Sequence, residues 1–196
     1  MSKRKTTSKR TTKETDIALT LQLDGSGQID IDCGVPFLEH MLTLFARHGF
    51  FDLTIKATGD LPVDAHHLVE DVGLVLGEAV SEALGDKVGI KRYGSIILPM
   101  DEALVAVAID CSGRPYLGFD LPLAAARLGT FETELVEEFL RAFSNRAQCT
   151  LHAKLLAGRN THHIIEALFK GLGRALDEAT SYDVRVQGVP STKGLL

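Results

Sequence analysis

Apolar residues recur along this chain at two spacings, and the order of the spacings repeats. In the stretch 37–57, FLEHMLTLFARHGFFDLTIKA, apolar positions first fall three and four residues apart, as in an amphipathic helix, and a short β-rich run follows. The same order returns in the stretch 135–155, LVEEFLRAFSNRAQCTLHAKL. Each stretch therefore predicts a helix followed by a strand.

These two stretches belong to a longer internal repeat. Downstream, HHLVEDVGLVLGEAV can be laid on HHIIEALFKGLGRAL, and both predict a second helix. Upstream, TLQLDGSGQIDID matches AVAIDCSGRPYLGFD, where the turn signals DGSG and SGRP separate two extended runs and predict a hairpin in each copy. Each copy is thus predicted as strand, strand, helix, strand, helix, from about Thr15 to Gly85 and from about Asp101 to Thr180. The intervening KVGIKRYGSIILP predicts a loop and a strand.

The order of elements favours an α+β fold, because strands precede helices and the helices can cover one sheet face. One copy of about 85 residues would fold only marginally by itself, whereas two copies could share a core if their helices packed between two sheets. The predicted organisation is therefore a tandem duplication, with a basic arm at 1–13, a first half at 14–98 and a second half at 99–196 that ends in a tail.

Composition changes this picture little. The 196 residues are 45% hydrophobic and 24% charged, which is ordinary for a globular protein. No apolar run approaches the ~20 residues that span a bilayer, and no secretory signal is visible. The three cysteines, Cys33, Cys111 and Cys149, are scattered and odd in number, so we expect reduced residues in a cytoplasmic protein rather than a disulfide framework.

Charge is distributed unevenly along the chain. Residues 1–13 carry six basic residues and no acid, so the net charge of −5 for the chain leaves −11 for the rest. We predict that the basic segment is a solvated, partly disordered arm. A nucleic-acid partner is not expected, because the remainder is acidic and lacks a stripe of basic and aromatic residues.

Each copy carries a His-His pair followed three residues later by a glutamate, in DAHHLVED at 64–71 and in NTHHIIEA at 160–167. At a helix start, the first histidine and the glutamate are four residues apart and share a face. Adjacent histidines diverge by about 100°, so one ion is not expected to take both. We therefore predict two metal ions, each taking one histidine from each pair, with Asp64 or Asn160 capping its helix.

The internal repeat extends the candidate ligand set. A single His-His pair is more often a surface accident than a site, but two pairs at matching positions of a duplicated unit are much harder to dismiss. His40 on the preceding helix aligns with Glu138, another competent ligand. Nitrogen and oxygen donors without thiolate favour roughly octahedral Mn²⁺ or Fe²⁺ sites over a closed zinc site. The candidate ligands are His40, His66, His67, Glu70, Glu138, His162, His163 and Glu166. His48 and His152 are interpreted as structural or supporting histidines.

Several motifs taken together resemble the imidazoleglycerol-phosphate dehydratase family of histidine biosynthesis. They are FLEHML, DAHHLVED, DEAL, DCSGRP, AGRNTHHIIEALFK and PSTKG, and the resemblance runs from KET at 13–15 to PSTKG at 190–194. It implies a duplicated unit like the second domain of ribosomal protein S5. It also implies a large homo-oligomer of octahedral symmetry that is held together by manganese, with two Mn²⁺ ions per subunit.

The resemblance also assigns roles to residues. The family's ligand positions match the candidate ligands above, except that many members have a histidine where this chain has Glu138. Catalytic positions match Glu14, Glu70 and Glu166. The family's substrate contacts match Glu14, Arg92, Arg114, Ser191, Thr192 and Lys193. We add as candidate substrate-binding residues His40, His48, His66, His67, Glu70, His162, His163 and Glu166. Arg92, Arg114 and Lys193 suit the phosphate of a small phosphorylated imidazole substrate, with Ser191 and Thr192 donating hydrogen bonds.

The implied reaction converts D-erythro-imidazoleglycerol phosphate to imidazole-acetol phosphate and water. A metal-bound imidazolate would expel the adjacent hydroxyl to give a diazafulvene, which makes the neighbouring C–H acidic. Glu14 is the candidate proton carrier. It has no matching carboxylate in the second copy, where Met100 aligns, and Asp101 of DEAL is the second candidate.

Two other functions remain open at this level. A dinuclear metal hydrolase would use a bridging hydroxide as its nucleophile. A metal-storage or metal-sensing protein would bind metal tightly without turnover. The hydrolase does not account for the basic phosphate-binding set beside Glu14.

Overall fold

The computed structural model describes residues 4–194 and 196, and the described chain forms two halves whose elements follow the same order, except for two short strands inserted in the second half. The first half consists of β1 Lys5–Thr11, β2 Thr15–Gln22, β3 Ile29–Asp32, α1 Pro36–His48, β4 Asp52–Gly59 and α2 His66–Leu84. The second half consists of β5 Tyr93–Met100, β6 Ala103–Asp110, β7 Tyr116–Asp120, the short strands β8 Arg127–Leu128 and β9 Phe131–Glu132, α3 Leu135–Ala147, β10 Thr150–Ala157 and α4 Thr161–Thr180.

Each half builds one four-stranded sheet, and the two sheets have the same topology. The strand orders are β1-β2-β4-β3 and β5-β6-β10-β7. The last pair in each sheet is parallel and the others are antiparallel. The α+β class and the tandem duplication are thereby confirmed, and each copy gains one leading strand, β1 or β5, beyond the predicted unit.

The predicted hairpins at DGSG and SGRP are wrong. The strand that follows each turn does not pair with the strand before it. Instead β3 pairs in parallel with β4, for example Ile31 with Ile55, and β7 pairs in parallel with β10, for example Leu117 with Leu151. A parallel pair needs a crossover, and the helix α1 or α3 supplies it. In the two four-stranded sheets, the hairpins are β1–β2 and β5–β6.

The basic arm is also not what its composition predicts, because residues 5–11 form the edge strand β1 and pair along their whole length with β2. Two of its cations find acidic partners in the body of the protein. Arg4 Nε donates to Asp24 Oδ2 at 2.9 Å, and Arg10 Nε donates to Asp71 Oδ1 at 2.8 Å. The prediction of disorder counted the charge of the segment without its partners. Residues 1–3 lie outside the described residues.

The four helices lie between the two sheets and pack across the halves. Helix α1 packs on α4, and α2 packs on α3, while the inner faces of the strands supply the rest of the core. Fully buried Phe45 and Phe143 lie at equivalent places on α1 and α3, and Cys33, Cys111 and Cys149 are buried within the core. Among the residues that the structure describes, no helix has the length and apolar character needed to cross a membrane.

Both helix crossings depend on a glycine at the point of contact. A Cβ on Gly173 of α4 would lie 2.3 Å from the carbonyl oxygen of Phe45, and a Cβ on Gly77 of α2 would lie 2.4 Å from that of Phe143. No side chain fits at either point, so the backbones of the two helices can approach closely only because glycine is there.

Replacing Gly173 with alanine should therefore destabilise the protein, although alanine is the better helix former. The new methyl group would push α1 away from α4, and we expect the free energy of unfolding to fall by about 1–3 kcal/mol, the usual cost of overpacking. Urea-induced unfolding measures this loss. Gly77→Ala is the matched variant at the other crossing and should lose a similar amount. Wild-type stability in both variants would contradict the close crossings.

Candidate functional site

Both His-His pairs lie at helix starts, where the backbone geometry is fixed by polar side chains. Asn160 caps α4, and its side chain accepts from the backbone amides of His162 at 3.0 Å and His163 at 3.4 Å. At the start of α2, Asp64 Oδ1 accepts from the amide of His66 at 2.8 Å. These contacts hold the first turn of each helix and so set the direction of the imidazoles.

The two rings within each pair point in different directions, as the helical spacing predicts. The planes of His66 and His67 make an angle of 85°, with ring centroids 6.2 Å apart. The corresponding values for His162 and His163 are 89° and 6.3 Å. Each pair therefore serves two separate environments.

The first histidine of the second pair joins a compact group contributed by two helices. His40 Nε2 of α1 lies 2.8 Å from Glu166 Oε1 of α4, and His162 Nε2 lies 3.1 Å from the same oxygen. The potential ligand atoms all fall within 4.8 Å of one another, and within the described chain this is the only such group of three. Two imidazoles and one carboxylate are donors that suit Mn²⁺, Fe²⁺ or Zn²⁺. Three of the predicted ligands thus come together in one chain.

Glu166 is buried, and its partners in this group hold its pKa well below the usual range. Burial by itself would raise its pKa, but hydrogen bonds from Lys170, His40 and His162 outweigh burial and lower the pKa to about 2. Lys170 Nζ lies 2.8 Å from Glu166 Oε2 and is itself mostly buried. Lys170 was not predicted from the sequence. The signal that could have indicated it is its spacing of four residues from Glu166 on an otherwise apolar helix face.

The second histidine of the first pair faces two carboxylates. His67 Nδ1 lies 3.0 Å from Asp60 Oδ2 and 3.9 Å from Glu14 Oε2. The hydrogen bond with Asp60 and the nearby charge of Glu14 raise the pKa of His67. Glu14 lies in the loop between β1 and β2, so the fold brings the predicted proton carrier next to a predicted metal ligand.

The equivalent histidine of the second half has a matching environment. His163 Nδ1 lies 2.7 Å from Glu102 Oε2, and His163 Nε2 lies 3.8 Å from Asp101 Oδ2. The contact with Glu102 raises the pKa of His163 and lowers the pKa of Glu102 to about 2. Asp101 and Glu102 form the loop between β5 and β6, which is the counterpart of the loop that carries Glu14. The expectation that Glu14 has no counterpart is therefore wrong, because the alignment placed Met100 opposite it and did not include the two leading strands.

The remaining predicted ligands are not assembled within one chain. His66 and Glu70 lie on the first turns of α2 and Glu138 lies on the first turn of α3, all of them half-buried, but they form no group of three within the described residues. His48 lies at the end of α1. Its pKa is lowered mainly by burial and to a smaller extent by the charges of Lys170 and Arg174. His152 is exposed on β10 and packs against the ring of Tyr116.

The residues predicted to hold a phosphate line one cavity of about 840 Å³. Arg92 is fixed at its wall, because its Nε donates to Asp110 Oδ1 at 2.7 Å and its Nη1 donates to the carbonyl of Pro190 at 2.9 Å. The side chain of Arg114 is 65% exposed and available to a ligand. The predicted members are Arg92, Arg114, Ser191, Thr192 and Lys193. Three cations and two hydroxyls suit a phosphate.

This cavity and the histidine groups lie at opposite ends of the second sheet. Arg92 precedes β5 and Asp101 follows it, and a strand of eight residues spans roughly 25 Å. Neither Glu14 nor any predicted metal ligand lines the cavity. One chain therefore separates its cationic cavity from its imidazole–carboxylate groups by more than the length of a small substrate.

A duplicated α+β chain with an imidazole–carboxylate group and a cationic cavity defines a class of protein that can hold a metal ion and a small phosphorylated molecule. Comparisons with known proteins identify the family. The family model described as imidazoleglycerol-phosphate dehydratase matches residues 33–176. The dehydratase of Acetivibrio thermocellus is 63% identical over 187 residues, covering 95% of this chain and 96% of that protein. The dehydratase of Thermoanaerobacter pseudethanolicus is 61% identical over 193 residues, covering 98% and 100%.

Solved structures agree with the sequence matches. The crystal structure of imidazoleglycerol-phosphate dehydratase from Staphylococcus aureus superposes with a TM-score of 0.84 at 44% identity, covering 91% of this chain and 99% of that chain. The crystal structure of IGPD from Pyrococcus furiosus superposes with a TM-score of 0.85 at 43% identity, covering 96% and 100%. The chain belongs to the imidazoleglycerol-phosphate dehydratase family. It is a hydro-lyase of histidine biosynthesis, and the resemblance seen in its motifs is confirmed. Neither the hydrolase nor the metal-storage alternative survives this result.

The buried Glu166 predicts a specific pH dependence of stability in metal-free protein. Its pKa is about 4.5 when exposed and about 2 when folded, so its stabilising contribution is present above pH 4.5 and is lost as the pH falls towards 2. We expect Glu166→Gln to be less stable than wild type by up to about 3 kcal/mol at pH 7, with the difference shrinking below pH 4.5. Urea unfolding of both proteins across this range measures it. A difference that does not change with pH would contradict the depressed pKa.

Proposed function

We propose that this chain converts imidazoleglycerol phosphate to imidazole-acetol phosphate in Mn²⁺-dependent active sites that are shared between subunits of a homo-oligomer. The observation that carries the proposal is the group formed by His40, His162 and Glu166, which lies far from the cationic cavity of the same chain. A substrate with an imidazole at one end and a phosphate at the other needs both features.

The imidazole end of the substrate belongs with the histidine groups. His40, His162 and Glu166 would hold one Mn²⁺ ion, because their nitrogen and oxygen atoms already converge. When bound, the ion would supply Lewis acidity that makes the N–H of the substrate imidazole easier to remove. Lys170 stays on the second carboxylate oxygen of Glu166 and fixes the orientation of that carboxylate.

A second ion is expected at the equivalent groups of the first half. The duplication relates His66, Glu70 and Glu138 to His162, Glu166 and His40, so the same donors would hold the same metal. Carboxylate at the position of Glu138 is an acceptable Mn²⁺ ligand in place of histidine. His67 and His163 point away from their neighbours and would complete sites formed with other subunits. The proposal thus requires two Mn²⁺ ions per subunit.

The phosphate end belongs in the cationic cavity. Arg114 and Lys193 would contact the phosphate directly, and Ser191 and Thr192 would donate hydrogen bonds to it. Arg92 is tied to Asp110 and would act as the fixed wall on which the phosphate settles. The roughly 25 Å that separates this cavity from the histidine groups of the same chain means that the phosphate and the imidazole would contact different subunits.

The surface of the second sheet offers a place for subunits to meet. Its outer face exposes Tyr93, Ile97 and Tyr116, each more than half accessible, whereas the equivalent face of the first sheet carries residues such as Lys9 and Lys56. An exposed apolar face of this kind marks a protein–protein contact. It supports assembly into the large octahedral homo-oligomer, which we expect in the cytoplasm.

Glu14 is the group that would move the proton. Its carboxylate is more than half exposed and lies 3.9 Å from His67 Nδ1, so it can reach a substrate atom held near that imidazole. Its Oε2 would accept the C–H proton after the hydroxyl departs. Asp101 Oδ2 lies 3.8 Å from His163 Nε2, and Asp101 is the second candidate. Glu70 and Glu166 would act by holding the metal.

Kinetics of ketone formation from imidazoleglycerol phosphate separate the chemistry from binding. Glu14→Gln should lower kcat by roughly 10²–10⁴-fold with KM nearly unchanged, since only proton transfer is lost. Lys193→Ala should mainly raise KM, because a contact to the phosphate is lost. Manganese content and oligomer size serve as controls in both variants. A near-normal kcat in Glu14→Gln would shift the role of proton carrier to Asp101, and the absence of ketone formation in the wild type would refute the proposed reaction.

Metal removal tests the proposed sites and the assembly together. Protein reconstituted with Mn²⁺ should hold two ions per subunit by elemental analysis, because each half supplies one set of donors. Treatment with EDTA should reduce the mass measured by light scattering, because ligands from different subunits lose their common ion. A saturating value near one ion would refute the second site. An unchanged mass after complete metal removal would mean that the ions do not hold subunits together.

A further inference from the structure

A buried carboxylate next to Glu70 has no role in the proposed reaction. Asp71 follows Glu70 on α2 and is buried, with an exposed fraction of 6%. A buried anion is costly unless it is paired and hydrogen-bonded. Both oxygens of Asp71 are satisfied by residues of the leading hairpin: Oδ1 accepts from Arg10 Nε at 2.8 Å, and Oδ2 accepts from Thr15 Oγ1 at 2.5 Å.

These two partners are the two ends of the loop that carries Glu14. Arg10 lies on β1 just before the loop, and Thr15 begins β2 just after it. Within the loop, Thr12 Oγ1 accepts from the amides of Glu14 at 3.0 Å and Thr15 at 2.9 Å. One carboxylate on α2 therefore fixes both ends of the loop, and the loop's own hydrogen bonds fix what lies between.

The second half provides an internal comparison. There Met100 pairs directly with Ala103, so β5 and β6 are joined by the two residues Asp101 and Glu102. In the first half, Thr11 pairs with Asp16, so four residues lie between the last paired residues of β1 and β2 and have more conformational freedom to lose. The position equivalent to Asp71 on α4 is Ala167. The carboxylate clamp is thus present in the half whose connection is longer.

We propose that Asp71 is the positioning residue for Glu14: it holds the β1–β2 loop so that the Glu14 carboxylate stays beside His67. The inference rests on the proposed role of Glu14 as the proton carrier. Asp71 acts through the loop and contacts no reacting atom. Displacement of a reacting group by about 1 Å can cost on the order of 10²-fold in rate, so loss of the clamp would reduce turnover without removing a catalytic group.

The decisive variant is Asp71→Asn, which keeps the shape of the side chain but removes the negative charge that pairs with Arg10 and the second acceptor oxygen. We expect kcat to fall by roughly 10–10²-fold with KM nearly unchanged, while metal content and oligomer size stay at wild-type values. In the Glu14→Gln background the same change should cost almost nothing more, because the group that Asp71 positions is already missing. Equal losses in both backgrounds would overturn the proposal, as would a loss of metal, which would place the effect on Glu70 instead.

Two further comparisons separate positioning from general stability. Glu82 joins the same helix to the same strand at its far end, where its Oε2 accepts from Thr6 Oγ1 at 2.6 Å and from Ser8 Oγ at 3.3 Å. Glu82→Gln should therefore leave kcat near normal. Thr15→Val should lower kcat, whereas Thr15→Ser, which keeps the hydroxyl, should have a kcat close to that of the wild type. A fall in kcat for Glu82→Gln equal to that for Asp71→Asn would overturn the proposal.

Hydrogen exchange distinguishes failure of this inference from failure of the proposed function. Amides of residues 12–15 should exchange at least tenfold faster in Asp71→Asn than in wild type or Glu82→Gln. If Glu14→Gln itself turns over normally, the role of Glu14 as proton carrier fails, and this exchange measurement still decides whether Asp71 holds the loop. Unchanged exchange at residues 12–15 would overturn the proposal whatever the kinetics show.

Discussion

The close crossing of helices from different halves is the constraint on which this structure depends. At Gly173 the backbone of α4 touches the backbone of α1, and at Gly77 that of α2 touches that of α3. These contacts join the two copies into one core and also carry His40 of the first half to Glu166 of the second. Close packing, which has no tolerance for an added methyl group, is therefore what places an imidazole within hydrogen-bonding distance of a carboxylate from a distant part of the chain.

The order of the elements could be predicted from sequence because it depends on local periodicity, and the same periodicity occurs in both copies of the repeat. Strand pairing could not be predicted in the same way. Whether Ile31 pairs with the strand before it or with Ile55 after the helix is decided by how α1 crosses the sheet, and no local signal records that. The prediction that the basic arm is disordered was wrong for a similar reason. Its charge is local, but the partner of Arg10 lies on α2, some sixty residues further along the chain.

In the candidate site, too, features that depend on local spacing were predicted and features that depend on tertiary contacts were not. Spacing within one helix predicts the divergence of the paired histidines, and the internal repeat adds His40 as a candidate ligand. Asp60 and Glu102 were not predicted, because they reach their histidines from loops, and Lys170 was not predicted although it lies four residues after Glu166 on the same helix. The donors on α2 and α3 form no group of three within the described chain, so their role is assigned by analogy between the halves.

The two copies keep one backbone plan but fit different side chains to it, and two of the differences lie close to the glutamates. Lys170 neutralises Glu166 at a distance of four residues, whereas the equivalent position after Glu70 is Leu74. Asp71 beside Glu70 anchors a loop, whereas the second copy has Ala167 there. A duplication leaves two equivalent sites at first, and a fold held by backbone contacts at glycine can accept such exchanges without moving its helices. The chemistry of the halves could therefore diverge while the geometry of both imidazole pairs was preserved.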